Sequence, residues 1–353
     1  MDYKQQLATL TESVLAQGAS DLHLIGGNKP IVRVAGVLTS LLSEPDLSDA
    51  DMVGLIGELM SPEQKKHFLE TKEADFSYTY LTKARFRGNA YFERGRIGIA
   101  LRLIPQEIKT LQELNLPPIL ENVATREQGF FLVVGPVGQG KTTTLACLLE
   151  MINQTRTEHI ITIEDPIEYI FTNKKSVIDQ REVRIDTSDF QTALQSVFRQ
   201  DVDVVMIGEM RTPETIATAV TAAETGHLVF STLHTNNAAQ TIDRIIDSFD
   251  AIQQEQIRIQ LAASLAGIFS QRLVPRVAGG LIPVYELLVN NDAVSNLIRE
   301  KRTHEIPTVI ETGAAQGMND MNRSLAELVR GGQITVETAY TRSWDPKTLE
   351  RLL

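Results

Sequence analysis

Gly135, Pro136, Val137, Gly138, Gln139, Gly140, Lys141, Thr142 and Thr143 fit the spacing G-x-x-x-x-G-K-[ST], that of a phosphate-binding loop. Each residue type answers a chemical need. Glycines let backbone N–H groups turn inward around an anion, and a helix N-terminus behind them adds partial positive charge. The Lys141 ammonium suits the β- and γ-phosphates of a nucleoside triphosphate, and the Thr142 hydroxyl suits a magnesium ion carried with them. An apolar run at 130–134 precedes the loop and a helix-forming run at 144–152 follows it. A chance glycine turn is the rival reading, and motif and context together argue against it. The expected cofactors are ATP and Mg2+.

Hydrolysis needs a group that orients or deprotonates water beside the terminal phosphate. Glu209 ends the run Val204-Val-Met-Ile-Gly-Glu209, at the carboxyl end of an expected parallel strand, where open α/β sheets place their sites. Gly208 stands where a phosphate-loop protein usually carries its strand-end aspartate, so the water-directing role falls to Glu209. Glu164 closes the apolar run at 160–163 and is assigned to magnesium or water positioning; Asp165 and Glu168 suit turn capping better. His227 and His234 flank the apolar run at 228–230. Taken alone, His227 suits a structural role, while His234, at a strand's carboxyl end, suits either a structural role or sensing of the terminal phosphate.

These groups need two kinds of scaffold. Residues 1–104 suggest a mixed α/β module: a helix at 2–17, an extended stretch at 31–38, a helical region at 48–70, and strands at 75–80, 85–94 and 97–104, with Gly95 turning between the last two. Their alternation suits an antiparallel sheet with one wet face. From residue 130 the strands become continuous apolar runs at 130–134, 160–163, 204–207 and 228–230 separated by helical segments, the pattern of a parallel sheet covered on both faces. Pro105 and Leu116-Pro-Pro bracket the change, so the linker is expected over 105–118 and the second domain over 119–353.

Composition narrows the classes. Hydrophobic residues are 42% and charged residues 22% of 353, as in ordinary globular proteins. No apolar run approaches the roughly 20 residues of a membrane-spanning helix, and the opening residues lack a signal-peptide pattern. The single cysteine, Cys147, excludes an intrachain disulfide and an all-cysteine zinc site. A cytoplasmic location is expected. With 34 basic against 45 acidic side chains the net charge is −11, which argues against nucleic acid as a partner.

In order along the chain, Ser20-Asp-Leu-His23, Arg85-Phe-Arg-Gly-Asn89, the loop at 135–143, Thr162-Ile-Glu-Asp-Pro-Ile-Glu-Tyr169, Gln180-Arg-Glu182, Arg199-Gln-Asp201, Gly208-Glu-Met-Arg211 and Ala222-Ala-Glu-Thr-Gly-His-Leu-Val229 resemble the signatures of the secretion-ATPase superfamily, and within it the PilT family of pilus-retraction motors. The resemblance implies a PAS-like α+β N-terminal domain followed by a RecA-like P-loop ATPase domain, assembled as a homohexamer. It implies ATP hydrolysis that powers type IV pilus retraction and twitching motility, at the cytoplasmic face of an inner-membrane pilus platform. It places Glu164 in the family's acidic box, Glu209 in its atypical Walker B segment, and His227 and His234 in its histidine box, which makes His227 a candidate nucleotide contact. It also gives Arg87, Arg94 and Arg102 a purpose, as arginines brought to the phosphates by the N-terminal domain. On half-wet strands alone, arginines are usually just solvated.

Some positions depart from the pattern. Val137 and Gln139 replace threonine and serine at variable positions of the loop, so binding is expected to survive. In Ala293-Val-Ser-Asn-Leu-Ile-Arg-Glu300, Ser295 stands where the family's retraction-associated segment usually has arginine, and Leu281 where a basic residue is common. A pilus-extension or type II secretion ATPase is the near alternative; those relatives usually add an N-terminal domain and a four-cysteine module, and this sequence shows neither. A regulatory nucleotide-binding subunit with little turnover is a second alternative, and a nucleic-acid translocase a third.

Overall fold

The computed structural model describes residues 2–81, 83–105 and 107–353; Gln106, inside the expected linker, lies outside the described residues. The chain divides into two compact units, residues 1–107 with 168–170, and residues 108–167 with 171–353. Leu111 and Leu116, both within the segment expected as linker, are buried in a core of the second unit.

The first unit runs α1 (Tyr3–Ala16), β1 (Asp21–Ile25), β2 (Ile31–Val34), β3 (Val37–Ser40), α2 (Asp49–Leu59), α3 (Pro62–Thr71), β4 (Glu73–Tyr80), β5 (Ala84–Glu93) and β6 (Arg96–Ile104). Its sheet has the order β3-β2-β1-β6-β5-β4, antiparallel at every pairing. Alternation decides the faces: Phe86 and Leu101 are buried in the core, while their neighbours Arg87 and Arg102 are exposed. The single extended stretch expected at 31–38 is a hairpin, because Ala35 and Gly36 both take positive φ, at 47° and 85°, the pattern of a type I′ turn. The helical region expected at 48–70 is two helices. Ser48 with Asp51 and Ser61 with Gln64 each form a capping box, so the second start signal breaks the run at Met60.

The second unit contains α4 (Glu121–Ala124), β7 (Gly129–Val134), α5 (Lys141–Thr155), β8 (His159–Glu164), β9 (Val177–Glu182), α6 (Phe190–Val197), β10 (Val204–Ile207), α7 (Pro213–Glu224), β11 (Leu228–Leu233), α8 (Ala238–Asp247), α9 (Ala251–Ser264), β12 (Leu265–Pro275), β13 (Leu281–Val289) and α10 (Asp292–Arg299), with further helices over 306–352. The sheet order is β13-β12-β7-β11-β10-β8-β9. It is parallel from β12 to β9, and only β13 runs antiparallel, against β12. The continuous apolar runs follow from this layering. Phe130, Leu132 and Val134 face one core and Phe131 and Val133 the other, so no position along β7 meets water. The sheet is wider than the four runs in the sequence suggested. β9 and β12 carry polar residues mid-strand (Asp179, Gln180, Ser270, Gln271), which hides them from a search for apolar segments.

Candidate active site

β7, β11, β10 and β8 are consecutive neighbours in the sheet, and their parallel direction brings the phosphate loop, His234, Glu209 and Glu164 to one edge. The loop turns at Gly135, Gly138 and Gly140, with φ of 148°, 74° and 78°, values that disfavour residues with a Cβ. Gly140 caps α5, whose first residue is Lys141, followed by Thr142 and Thr143. The side chain of Lys141 is buried and donates from Nζ to the carbonyl oxygens of Gly135 at 2.8 Å and Pro136 at 2.9 Å. Nζ also stands 3.3 Å from His234 Nδ1. Burial, then the positive charge of Lys141, pushes the His234 pKa down, against a smaller upward pull from Glu209. His234 is therefore a neutral acceptor at pH 7, beside the group expected to hold phosphate.

Glu209 follows β10 and pairs with Arg211 at 2.6 Å, its side chain 20% exposed. Gly208 allows the close approach behind it: a Cβ there would lie 3.3 Å from the Ile163 oxygen and 3.5 Å from the Glu164 Cα. The acid is thus one residue beyond the crowded position. Glu164 is buried and accepts from Thr162 Oγ1 at 2.6 Å and Gln180 Nε2 at 3.2 Å, which fixes its carboxylate at the strand end.

Other expected residues lie elsewhere. His227 precedes β11, and Gly129 at the start of β7 hydrogen-bonds its carbonyl. It is therefore at the opposite edge of the sheet from the loop, about 20 Å away along a strand rising roughly 3.3 Å per residue. Its imidazole bonds the Ala222 carbonyl at 2.9 Å and packs edge-on against Phe198. The expected nucleotide contact at His227 therefore lies at the far end of β11 from the phosphate loop of the same chain. In the first unit Arg87 and Arg102 stand directly across from each other. Arg102 bonds the buried Asp21 through Nε at 2.8 Å. Arg94 is at the β5–β6 turn with φ 50° and its side chain 91% exposed, so it does not join the other two.

Residues 3–280 match the family described as type II/IV secretion system protein. The chain belongs to that family. It is 42% identical over 331 residues to the type IV pilus retraction ATPase PilT of Pseudomonas aeruginosa, covering 94% of this chain and 96% of that one. It is 44% identical over 322 residues to a twitching motility protein of Neisseria gonorrhoeae, covering 91% and 86%. A crystal structure of the pilus retraction motor PilT with bound ADP superposes with a TM-score of 0.90 at 45% identity, covering 97% of this chain and 98% of that one.

In this secretion-system family member, Gln180 on β9, quoted above within Gln180-Arg-Glu182 but given no role there, orients Glu164. Two further polar residues near the site escaped the sequence reading. Gln271 on β12 is buried and bonds both the loop and α5. Glu286 on β13 is buried and accepts from Ala238 N, at the start of α8, at 2.8 Å and from Ser270 Oγ at 3.3 Å. Neither Gln271 nor Glu286 belongs to a motif quoted above, and a polar residue inside a strand carries no local sign of its partner. Ser295 also changes meaning. It is buried and donates to the Ala262 carbonyl on α9 at 2.8 Å, so the missing arginine charge concerns a helix–helix contact and not the wet face of α10.

Burial raises the Glu286 pKa from the usual 4.5 to about 7, more than its two hydrogen bonds lower it. A carboxyl whose folded pKa is raised binds more protons folded than unfolded between those values, so its contribution to stability is complete below pH 4.5 and is lost as pH rises through 7. Glu286→Gln keeps the acceptor and removes the titration. Denaturant unfolding should show the variant gaining on the parent from pH 4.5 to 8, by on the order of 3 kcal/mol. Parallel stability profiles for the two proteins would refute this.

Proposed function

We propose that this chain is a motor ATPase that hydrolyses ATP to ADP and phosphate and powers type IV pilus retraction. The observation that carries the reading is Glu209 at the carboxyl end of β10, two strands from the strand that feeds Lys141. That is about 10 Å of sheet between the two strands, a gap into which both side chains extend from the same edge. In this reading Lys141 and the loop amides hold the phosphates, Glu209 orients water, and neutral His234 accepts a hydrogen bond near the terminal phosphate. Thr142 and Glu164 would offer oxygen donors, the type Mg2+ prefers, and a bound Mg2+ would offset negative charge on the phosphates. In this reading Arg87 and Arg102 keep the phosphate-contact role that the resemblance gives them, Arg102 standing across from Arg87 and ion-paired to Asp21.

The assembly expected is a homohexamer acting on an inner-membrane pilus platform from the cytoplasm. Hinge motion of the amino-terminal domain, in the linker expected over 105–118, would be paced by nucleotide state. Among the described residues no helix is long and apolar enough to cross a membrane, so membrane contact in this reading runs through the platform. Two measurements test the proposal together. The purified chain should release phosphate from ATP with magnesium, and cells lacking the gene should keep surface pili that no longer shorten. Shortening at the parental rate in the deletion strain removes the retraction reading; absence of phosphate release removes the enzyme.

A further inference from the structure

We infer that β12 is a positioning strand that sets two parts of the ATPase site from opposite faces: Gln271 fixes the phosphate loop, and Arg272 fixes the segment that carries His234. The inference rests on the ATPase reading and goes beyond it.

The evidence is the alternation of β12. Residues one apart along a strand point to opposite faces. Gln271 Oε1 accepts from Thr144 Oγ1, in the first turn of α5, at 2.7 Å, and Gln271 Nε2 donates to the Gln139 carbonyl in the loop at 2.7 Å. The backbone N–H of Leu273 donates to Gln139 Oε1 at 2.8 Å. Both ends of the phosphate loop's helix junction are therefore tied to one strand. On the other face, Arg272 Nη2 donates to Asn236 Oδ1 at 2.7 Å, two residues beyond His234. Ser270, on the same face, bonds Glu286, which accepts the Ala238 N–H that begins α8.

The chemistry of each residue is specific. Gln271 is 3% exposed and Thr144 1%, so the side chain must accept on one side and donate on the other, which the neutral amide does and a carboxylate cannot. A guanidinium at 272 is long enough to reach Asn236 while leaving the strand paired to both neighbours. His234 touches Lys141, so the two faces meet at the ammonium group. Displacing either clamp displaces a different partner of the same phosphate.

The full chain with Gln271→Glu keeps volume and the acceptor for Thr144 but sets an oxygen against the Gln139 carbonyl. Calorimetric titration with ADP and magnesium should show affinity weakened about tenfold or more, with turnover at saturating ATP changed less. Arg272→Ala should do the reverse: affinity within about twofold, saturating turnover down about tenfold, and partial recovery in Arg272→Lys. If Gln271→Glu does not fold, Gln139→Ala removes the other tie between the loop and β12, the Leu273 N–H bond to Gln139 Oε1, and should weaken affinity in the same direction with turnover changed less. A split of this kind between the two parameters supports the inference. Equal effects of both substitutions on both parameters, or no effect of either, overturns it. Failure of the unaltered chain to hydrolyse ATP is a different result, which removes the ATPase reading first.

Discussion

Glu209→Gln should lose about 10²–10⁴-fold in saturating turnover, the usual worth of a general base, while its affinity for ADP with magnesium stays within about twofold of the parent. Glutamine keeps the size and the hydrogen-bonding reach of the side chain, so the pocket keeps its shape. What disappears is the negative charge proposed to align water, which pairs with Arg211 at 2.6 Å. Binding should survive because the proposed phosphate contacts belong to the loop after β7 and to Lys141 at the start of α5. Gly208 just before Glu209 also suits the site: a Cβ there would lie 3.3 Å from the Ile163 carbonyl oxygen, a tight contact that favours glycine and leaves the proposed acid one residue along. Single-turnover phosphate release measures the outcome. Hydrolysis by Glu209→Gln at the parental rate would show that another group directs the water.

The second large effect concerns backbone and not charge. Gly135→Ala should abolish measurable nucleotide binding and lower stability by more than about 2 kcal/mol, because it combines a strained φ with a steric conflict. At φ 148°, the added Cβ would lie 2.3 Å from the Gln271 carbonyl oxygen, a backbone atom of β12 that is held in the sheet and cannot swing aside. Gly138→Ala is the matched control. Its φ of 74° is also positive, but nothing lies within 4 Å of the added atom, so the cost there is conformational alone, about 1–2 kcal/mol. Thermal unfolding and calorimetric titration of the two variants separate strain from collision. A smaller loss for Gly135→Ala than for Gly138→Ala would mean that the contact with β12 is not what requires glycine.

These two positions mark where sequence reasoning was sufficient and where it was not. Gly135 announces itself by spacing, but the reason it must be glycine lies more than a hundred residues away on β12. The place of Glu209 at a strand end was legible because its acid closely follows a short apolar run of strand character. Those of Gln271, Arg272 and Glu286 were not, because they lie within β12 and β13 and their hydrogen-bond partners are distant in the chain. The two helices within 48–70 were merged for a local reason, since Ser61 followed by Pro62 is a start signal inside a run that otherwise continues to look helical.

What the amino-acid order determined by itself is the loop, its helix and the two styles of sheet, because each depends on neighbours in the chain: glycine torsions, a lysine at a helix start, and a side-chain period of two or an unbroken apolar run. Tertiary pairing alone decided which histidine attends the loop. His227 and His234 flank the same strand, and only the parallel register of β7 with β11 puts His234 beside Lys141 and His227 at the far edge. The same holds for Ser295, whose inward hydroxyl is set by where α10 meets α9. Hydrogen-bond partners between strands depend on register, and register is fixed by the whole buried face of a sheet and not by the few residues that later carry the chemistry.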